Sequence, residues 1–223
     1  MSKLVIKLTG KLFDEVELVK KYVELLKNLL KEYKIAVITG GGYLARKYIE
    51  FAKSIGVSSH YWLDYLGIEA ARLNGYLLVT ALQPYAYPRV ATSLHEVIDA
   101  FNRYSCVVTG GLIPGQSTAA VAVEVAEAIG AGEVIDLAAV DGVYNKDPRK
   151  YSDAKKYSEI NASELMKILE QEVLPGEYAL IDLRALKLAI RSRIVVKIAY
   201  YRDPNNLLKV IKGENPGTII YPR

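Results

Sequence analysis

The sequence predicts an α/β fold in which a mainly parallel sheet is covered by helices on both faces. Short β-branched segments alternate along the chain with longer amphipathic segments, which is the pattern of β-α units. The short segments are apolar throughout, as expected for strands that are buried on both faces. The chain has 223 residues, of which 51% are hydrophobic and 24% charged, and this is enough for one large domain with a substantial core.

The first half of the chain begins with a predicted strand over 4–8, which ends at Thr9-Gly10. A helix follows, because apolar residues recur at spacings of three and four. The segment 83–89 contains two prolines and two tyrosines and is predicted to be irregular. A helix over 92–103 has a capping-box pattern, with Thr92 or Ser93 as N-cap and Glu96 after it. The predicted apolar face of the first helix consists of Val16, Val19, Val23, Leu26 and Leu30.

The other elements follow from the same patterns. We predict a strand at 35–38, helices at 43–54 and 59–74, a strand at 106–108, a helix from 118 to about Ala128 and a strand at 134–140. Helices at 161–171 and 182–191 and strands at 194–199 and 217–221 complete the chain. A change of character near residue 130 leaves open a division of the single domain 1–223 into two lobes, 1–130 and 131–223.

Composition limits the function classes. A net charge of +4, from 29 basic and 25 acidic residues, gives little support for a nucleic-acid partner, because proteins that bind nucleic acid usually have a clustered basic face. The single cysteine, Cys106, excludes an intramolecular disulfide and is expected in the core. No apolar segment reaches the ~18 residues of a membrane helix, and the first residues lack a signal-peptide core. We therefore expect a cytoplasmic protein without membrane or nucleic-acid partners.

Three predicted strands end in glycine-rich turns, at Thr9-Gly10, Gly40-Gly41-Gly42 and Gly110 to Gly115. Glycine lets backbone N–H groups approach an anion closely, and a following helix N-terminus adds partial positive charge. Ligands of open α/β sheets bind beyond the carboxyl ends of the strands. Three such turns favour phosphate binding over the alternative of ordinary βα connections.

The third turn resembles a Walker A loop, but Gln116 stands where that loop has the lysine that contacts the outer phosphates. Glutamine carries no charge, so a standard P-loop is disfavoured. Lys7, inside the first apolar strand, can supply the charge, with Lys11 after it and Arg46 one helical turn past Gly42. The alternatives are an edge strand that exposes Lys7 to water and a solvated helix face that carries Arg46.

Other chemistries find little support. His60 and His95 are far apart and have no metal-ligand spacing, so no protein-held metal site is predicted. The sequence has no Ser-His-Asp set, no nucleophile elbow and no GxGxxG dinucleotide motif.

The order of the motifs resembles a known family. Five motifs occur in a fixed order along the chain. They are Lys7-Leu-Thr-Gly-Lys11, Thr39-Gly-Gly-Gly42 with Arg46, Trp62-Leu-Asp-Tyr-Leu-Gly67, Thr109-Gly-Gly-x-x-Pro-Gly-Gln-Ser-Thr118 and Val140-Asp-Gly-Val-Tyr-x-x-Asp-Pro-Arg149. Together they closely resemble the archaeal type of uridylate (UMP) kinase, in the amino-acid-kinase family. The resemblance implies a three-layer αβα sandwich and transfer of the ATP γ-phosphate to UMP with Mg²⁺, in pyrimidine nucleotide biosynthesis. It also implies a homohexamer built from dimers.

The resemblance also implies roles for particular residues. Lys7, Lys11 and Arg46 would be catalytic. Asp182 is similar to a late acidic position of the family. The other expected contacts are Lys7, Thr9, Gly10, Lys11, Gly42, Arg46, Ala138, Tyr144 and Asp147 to ATP, and Gly41, Asp64, Leu112, Ile113, Pro114, Gly115, Gln116, Ser117 and Thr118 to UMP. Asp64 would accept hydrogen bonds from the ribose hydroxyls.

One departure from the family keeps alternatives open. Relatives often have Thr-Asn where this chain has Ala138-Ala139, so only backbone contacts to the nucleotide are available there. One alternative is a relative that phosphorylates a carboxylate or another small phosphate. Another is a nucleotide- or oxyanion-binding storage or regulatory protein on the same fold.

Overall fold

A computed structural model describes residues 1–146, 148, 150–171 and 181–223. Within these residues, eight strands form one sheet in the order β3-β4-β2-β1-β5-β7-β8-β6, and all neighbours are parallel except β7 and β8. The strands are β1 (Ser2–Leu8), β2 (Tyr33–Thr39), β3 (Ala86–Ala91), β4 (Cys106–Thr109), β5 (Glu133–Ala138), β6 (Glu159–Asn161), β7 (Val195–Tyr200) and β8 (Thr218–Tyr221).

Helices cover both faces of this sheet. Alternate side chains of β1 separate two buried clusters: Val5 packs with α4, α5, α6 and α7, whereas Ile6 and Leu8 pack with α1, α3 and α8. The predicted three-layer αβα sandwich is confirmed. Among the described helices, none is both long and apolar enough to cross a membrane. The helices are α1 (Val16–Leu29), α2 (Gly42–Ser54), α3 (His60–Ala81), α4 (Leu94–Arg103), α5 (Thr118–Ile129), α6 (Ala162–Gln171), α7 (Leu183–Ser192) and α8 (Asn205–Ile211).

The buried face of α1 differs from the predicted one. Val16 is 68% exposed, and Val19 and Val23 are only half-buried, although the predicted Leu26 and Leu30 are buried. The face centres instead on Leu18, Tyr22, Leu26 and Leu29. The Tyr22 hydroxyl donates to the Tyr201 carbonyl oxygen at 2.7 Å, so the tyrosine is buried with its polar group satisfied. A pattern built on aliphatic residues alone misplaces this face.

The segment 83–89 is not wholly irregular as predicted, because β3 begins within it. Among the strands that the structure describes, β3 is an edge strand and pairs only with β4. An edge strand tolerates proline, since one side of its backbone needs no ladder partner. Pro88 is thus compatible with a strand that the proline content argued against.

The other differences concern element lengths. Helix α3 continues past the predicted end at Asn74, through Gly75, to Ala81. A β-carbon on Gly75 would lie 3.1 Å from the Val90 side chain and 3.2 Å from Thr39 Oγ1, so this glycine lets α3 lie close to the sheet. The short elements β6 and α8 were not predicted.

The predicted N-cap of α4 is confirmed at Ser93, but the reciprocal bonds of Glu96 go to Thr92, one residue before the N-cap. Ser93 Oγ accepts a hydrogen bond from the Glu96 backbone N–H at 3.1 Å. The Glu96 carboxylate in turn accepts from the backbone N–H of Thr92 at 2.8 Å and from its hydroxyl at 3.0 Å. Burial alone would raise the pKa of Glu96, but these bonds and one from Tyr87 lower it overall.

Candidate active site

Two glycine turns contact each other at the carboxyl ends of the neighbouring strands β1 and β2. A β-carbon on Gly10 would lie 1.9 Å from the backbone nitrogen of Gly42, and one on Gly42 would lie 2.2 Å from the carbonyl oxygen of Gly10. Gly42 also has φ of 60°, a left-handed conformation that favours glycine. The turns pack this closely because both residues lack a side chain. An ordinary βα connection would not require glycine at both positions.

Lys7 lies near the carboxyl end of β1, a strand with β2 on one side and β5 on the other. The alternative that Lys7 belongs to an edge strand is therefore wrong. Its side chain is 12% exposed, and its Nζ lies 2.9 Å from Asp136 Oδ1 and 3.2 Å from Asp136 Oδ2. Asp136 is the residue of β5 directly opposite Lys7 in the parallel register. The lysine is thus buried enough to be held and open enough to meet a ligand.

Asp136 is a buried carboxylate that the sequence analysis did not single out. Burial raises its pKa, and the adjacent Lys7 ammonium opposes that effect. Because a buried charge is costly unless it is paired, Lys7 and Asp136 form one electrostatic unit. The sequence does contain a signal for Asp136, because this residue, like Lys7, is a charged residue inside an apolar predicted strand.

The other two predicted cations are exposed. Lys11 lies in a short 3-10 turn, Gly10–Asp14, directly after β1, and Arg46 lies on α2 one turn past Gly42. Neither side chain makes a hydrogen bond or ion pair with a residue that the structure describes. Lys11 follows β1, which contains Lys7, and Arg46 follows the neighbouring strand β2. Neither residue makes a hydrogen bond or ion pair with Lys7 or Asp136.

A groove of about 370 Å³ opens between α3, the start of α5 and the glycine turns after β2 and β4. Every residue predicted to contact UMP lines this groove except Leu112 and Pro114. Leu112 instead packs against the core beneath the loop. The lining residues are Gly41, Ile49, Asp64, Gly67, Ile68, Ala71, Gly111, Ile113, Gly115, Gln116, Ser117 and Thr118.

Asp64, on α3, holds the loop after β4. Its Oδ2 accepts a hydrogen bond from the Gly115 backbone N–H at 2.8 Å. Gly115 has φ of 74°, and the space where a β-carbon would stand is open. The other carboxylate oxygen, Oδ1, makes no hydrogen bond with the described residues, and Asp64 lines the groove. Asp64 is therefore placed both to fix the loop and to accept from a ligand.

Ser117 joins the starts of two helices. Its Oγ accepts from the Ala120 backbone N–H at 3.0 Å and so caps α5. Its hydroxyl also makes a short hydrogen bond to Asp182 Oδ2. The other oxygen of Asp182 accepts from Ala185 N–H at 2.9 Å and caps α7. This gives Asp182, whose role the sequence left open, a place beside the groove.

A hydrogen bond to Glu124 of α5 holds the Gln116 side chain. Its Nε2 donates to Glu124 Oε2 at 2.6 Å, and Glu124 is also paired with Arg184 at 3.5 Å. Its buried Oε1 has no hydrogen-bond partner among the described residues. The glutamine thus lines the groove with its amide held by Glu124, and it does not supply the charge of a Walker lysine.

The predicted ATP residues of the second half lie at the end of β5 and after it. Ala138 is buried at the end of β5, next to β1, and its carbonyl oxygen accepts from Tyr201 N–H at 3.1 Å. The Tyr144 hydroxyl donates to Asp141 at 2.9 Å, and Lys156 pairs with the same carboxylate at 3.0 Å. Burial would raise the pKa of Asp141, but these two bonds lower it overall. Asp147 lies outside the described residues.

A model of the amino acid kinase family matches residues 2–200. The chain belongs to the amino acid kinase family. It is 59% identical to the uridylate kinase of Staphylothermus marinus, and the alignment covers 99% of each chain. It is 45% identical to the uridylate kinase of Sulfurisphaera tokodaii, again over 99% of each. Among solved structures, it is similar to uridylate kinase from Archaeoglobus fulgidus, with a TM-score of 0.88 and 35% identity over 99% of this chain and 100% of that one.

In this member of the family, two polar side chains tie the middle glycine turn and the end of β2 to α3, and the sequence analysis did not identify the role of Asn74. Asn74 Nδ2, on α3, donates to the carbonyl oxygen of Gly40 at 2.8 Å. Thr39 Oγ1, at the end of β2, donates to the Ala71 carbonyl oxygen at 2.7 Å. Both are buried. Their contacts depend on how α3 lies across the sheet, which no local pattern in the sequence reveals.

The remaining reactive side chains lie away from this groove. Cys106 is fully buried in β4, as predicted, and burial raises the pKa of its thiol to about 12. His60 and His95 are exposed. Across the described ranges, no three His, Cys, Asp or Glu side chains form a group that could hold a metal ion.

Proposed function

We propose that this chain is a UMP kinase, which transfers the γ-phosphate of ATP to UMP and gives UDP. The observation that carries the proposal is the arrangement of the glycine turns after β1, β2 and β4 around one end of the sheet, with Lys7 beside them. Backbone N–H groups, helix N-termini and a fixed ammonium are the groups that phosphoryl transfer requires.

The similarity to proteins named uridylate kinase, at 59% and 45% identity over 99% of the chain, favours UMP as the acceptor. Asp64 also favours a nucleotide, since a carboxylate at the groove can accept from two ribose hydroxyls. A small carboxylate acceptor would leave Oδ1 of Asp64 without a partner, since only Oδ2 is bonded to the Gly115 N–H. The storage or regulatory alternative leaves the Lys7 charge without a chemical task.

Charge compensation is the main work of the proposed site. Two phosphates that approach end to end repel each other, and Lys7, Lys11 and Arg46 would reduce that repulsion together with the backbone N–H groups of Gly10, Gly41 and Gly42. Ser117 and Thr118, at the start of α5, would bind the acceptor phosphate in the partial positive charge of the helix N-terminus. A phosphate oxygen is already a nucleophile, so no general base is required.

We propose Mg²⁺ as the metal, carried by ATP. Mg²⁺ prefers oxygen ligands and usually keeps several waters alongside substrate phosphates. The described residues bring no group of three ligating side chains together, so phosphates and water would supply most of its ligands. When bound, it would neutralise part of the charge between the two nucleotides.

The two nucleotides would occupy different parts of the chain. We assign UMP to residues 1–130, where the groove lined by Asp64 and the 110–118 loop lies. ATP would lie toward residues 131–223, with backbone contacts at Ala138 and side-chain contacts at Tyr144 and Asp147. Because β1 and β5 are neighbours, Lys7 stands at the junction of these two parts.

We also propose a homohexamer built from dimers. Exposed aromatic side chains concentrate on α2 and the start of α3: Phe51 is 52% exposed, and Trp62, 56% exposed, stacks edge-on with Tyr61 at 5.0 Å. Such patches are rare on monomers and frequent at interfaces. Native mass spectrometry tests the assembly, and a monomer at micromolar concentration would contradict it. A cytoplasmic location stays a prediction.

An acceptor panel tests the proposed function. The purified chain is incubated with Mg²⁺-ATP and UMP, CMP, AMP, glutamate or aspartate, and release of ADP is followed with a coupled assay. We expect turnover with UMP far above that with the other acceptors. Binding of ATP without turnover of any acceptor would exclude both kinase hypotheses, and turnover with glutamate or aspartate alone would identify a carboxylate kinase.

A further inference from the structure

We propose that Asp136 is a positioning residue for phosphoryl transfer, which holds the Lys7 ammonium at the end of β1 in the place where the transferred phosphate needs it. This inference rests on the proposed function, because it assigns to Asp136 a task in that reaction. Nothing in the motifs that resemble the family includes this residue.

The geometry of the pair supports the proposal. Asp136 is buried and lies directly across the β1–β5 ladder from Lys7, with Nζ at 2.9 Å and 3.2 Å from its two oxygens. The Oδ1 atom has no hydrogen bond among the described residues, so Lys7 is its one recorded electrostatic partner there. Asp136 therefore holds the Lys7 ammonium in place, and the described residues give Asp136 no other charged partner.

Structural stability alone does not explain the pair. A buried ion pair in the middle of a sheet contributes little or nothing relative to two packed apolar residues. All the other side chains of β1 from Leu4 to Leu8 are apolar, as are the β5 neighbours Ile135 and Leu137. The ion pair interrupts this core near the carboxyl end of β1, which leads into the first glycine turn. Its location points to the ligand site rather than to the core.

The Lys7 side chain needs to be held because it is flexible. A lysine has a four-carbon stem, and its ammonium can take many positions. Asp136 uses part of the three donors of the ammonium and leaves the rest free, and the side chain keeps 12% of its surface exposed for a ligand. A charge already fixed in place needs no reorganisation when negative charge moves between phosphates.

The test compares Asp136→Asn with wild type, in the wild-type background and in a Lys7→Met background. Asparagine keeps the size of the side chain but removes the charge that holds the ammonium. We expect kcat to fall by about 10²-fold, since misplacement of a catalytic group by ~1 Å costs that much. The KM for UMP should change by less than about threefold, as a transition-state effect requires. In Lys7→Met, the same change should cause no further loss.

The matched control is Glu133→Gln, which removes another ion pair of β5, to Lys197 at 2.5 Å, at the opposite end of the strand. It should keep the wild-type kcat. The proposal is overturned if Asp136→Asn keeps the wild-type kcat, or if it lowers kcat equally in both backgrounds. If Asp136→Asn does not fold, Asp136→Glu keeps the charge but moves it, and wild-type kcat in that variant also overturns the proposal. A wild-type chain that does not phosphorylate UMP removes the proposed function itself, and this inference with it.

Discussion

Gly10 and Gly42 contact each other through their backbones, and a β-carbon on Gly10 would lie only 1.9 Å from the Gly42 nitrogen. This contact joins the turn after β1 to the start of α2, so the two glycine turns lie against each other at the carboxyl ends of β1 and β2. It makes the two turns a single structure, which the proposed phosphate site requires.

The first prediction concerns this contact. Gly10→Ala should separate the two loops, because the overlapping atom is backbone and cannot move aside. Overpacking of this kind lowers the free energy of unfolding by roughly 1–3 kcal/mol. The loss of turnover, expressed as an increase in activation free energy, should be larger than this loss of stability. Thermal unfolding and UMP-dependent ADP release measure the two effects. Gly132→Ala is the control, since a β-carbon there meets nothing within 4 Å. Equal behaviour of the two variants would contradict the account.

The second prediction concerns Asp64. Asp64→Ala removes the acceptor of the Gly115 N–H bond and the proposed partner of the ribose hydroxyls. Loss of hydrogen bonds to a charged group weakens binding by roughly 1.5–3 kcal/mol, so the KM for UMP should rise about tenfold or more while the KM for ATP changes little. Glu69→Ala, one turn later on α3, is the control, because Glu69 pairs with Arg72 instead. A matching rise in the KM for ATP would rule out this role.

The third prediction concerns the bond between Ser117 and Asp182. If this bond orients the start of α5, Ser117→Ala and Asp182→Asn should lower UMP turnover by amounts that do not add in the double variant. Steady-state kinetics of the four proteins give the coupling. Independent losses, which multiply in the double variant, would mean that the two residues act separately.

The fourth prediction uses two serine N-caps. Ser93 Oγ accepts a capping hydrogen bond, whereas Ser59, at the N-cap of α3, makes none with its side chain. Ser93→Ala should therefore destabilise the chain by about 1 kcal/mol, or roughly 2–4 °C in Tm for a protein of this size. Ser59→Ala should change Tm much less. Calorimetry compares the two, and an equal drop in both would show that the cap bond is not the cause.

The parts of this molecule that follow from local sequence were predictable. The glycine turns, the N-cap of α4 and most strands depend on residues close together in the chain. Lys7 stood out because it interrupts an apolar strand. Its partner Asp136 lies far away in the sequence, on β5, and only the β1–β5 register identifies it as the partner. Asn74 and Tyr22 were missed for the same reason, since their hydrogen bonds cross between layers.

The central claim, that phosphoryl transfer occurs beside Lys7, is tested most directly by Lys7→Met. Both kcat and the dissociation constant for UMP are measured, with Lys3→Ala, at the far end of β1, as the control. If Lys7 acts on the transferred phosphate, kcat should fall by about 10²-fold or more while UMP affinity changes only a few-fold. Equal losses in kcat and in UMP affinity would mean that Lys7 is a structural residue and would contradict the account.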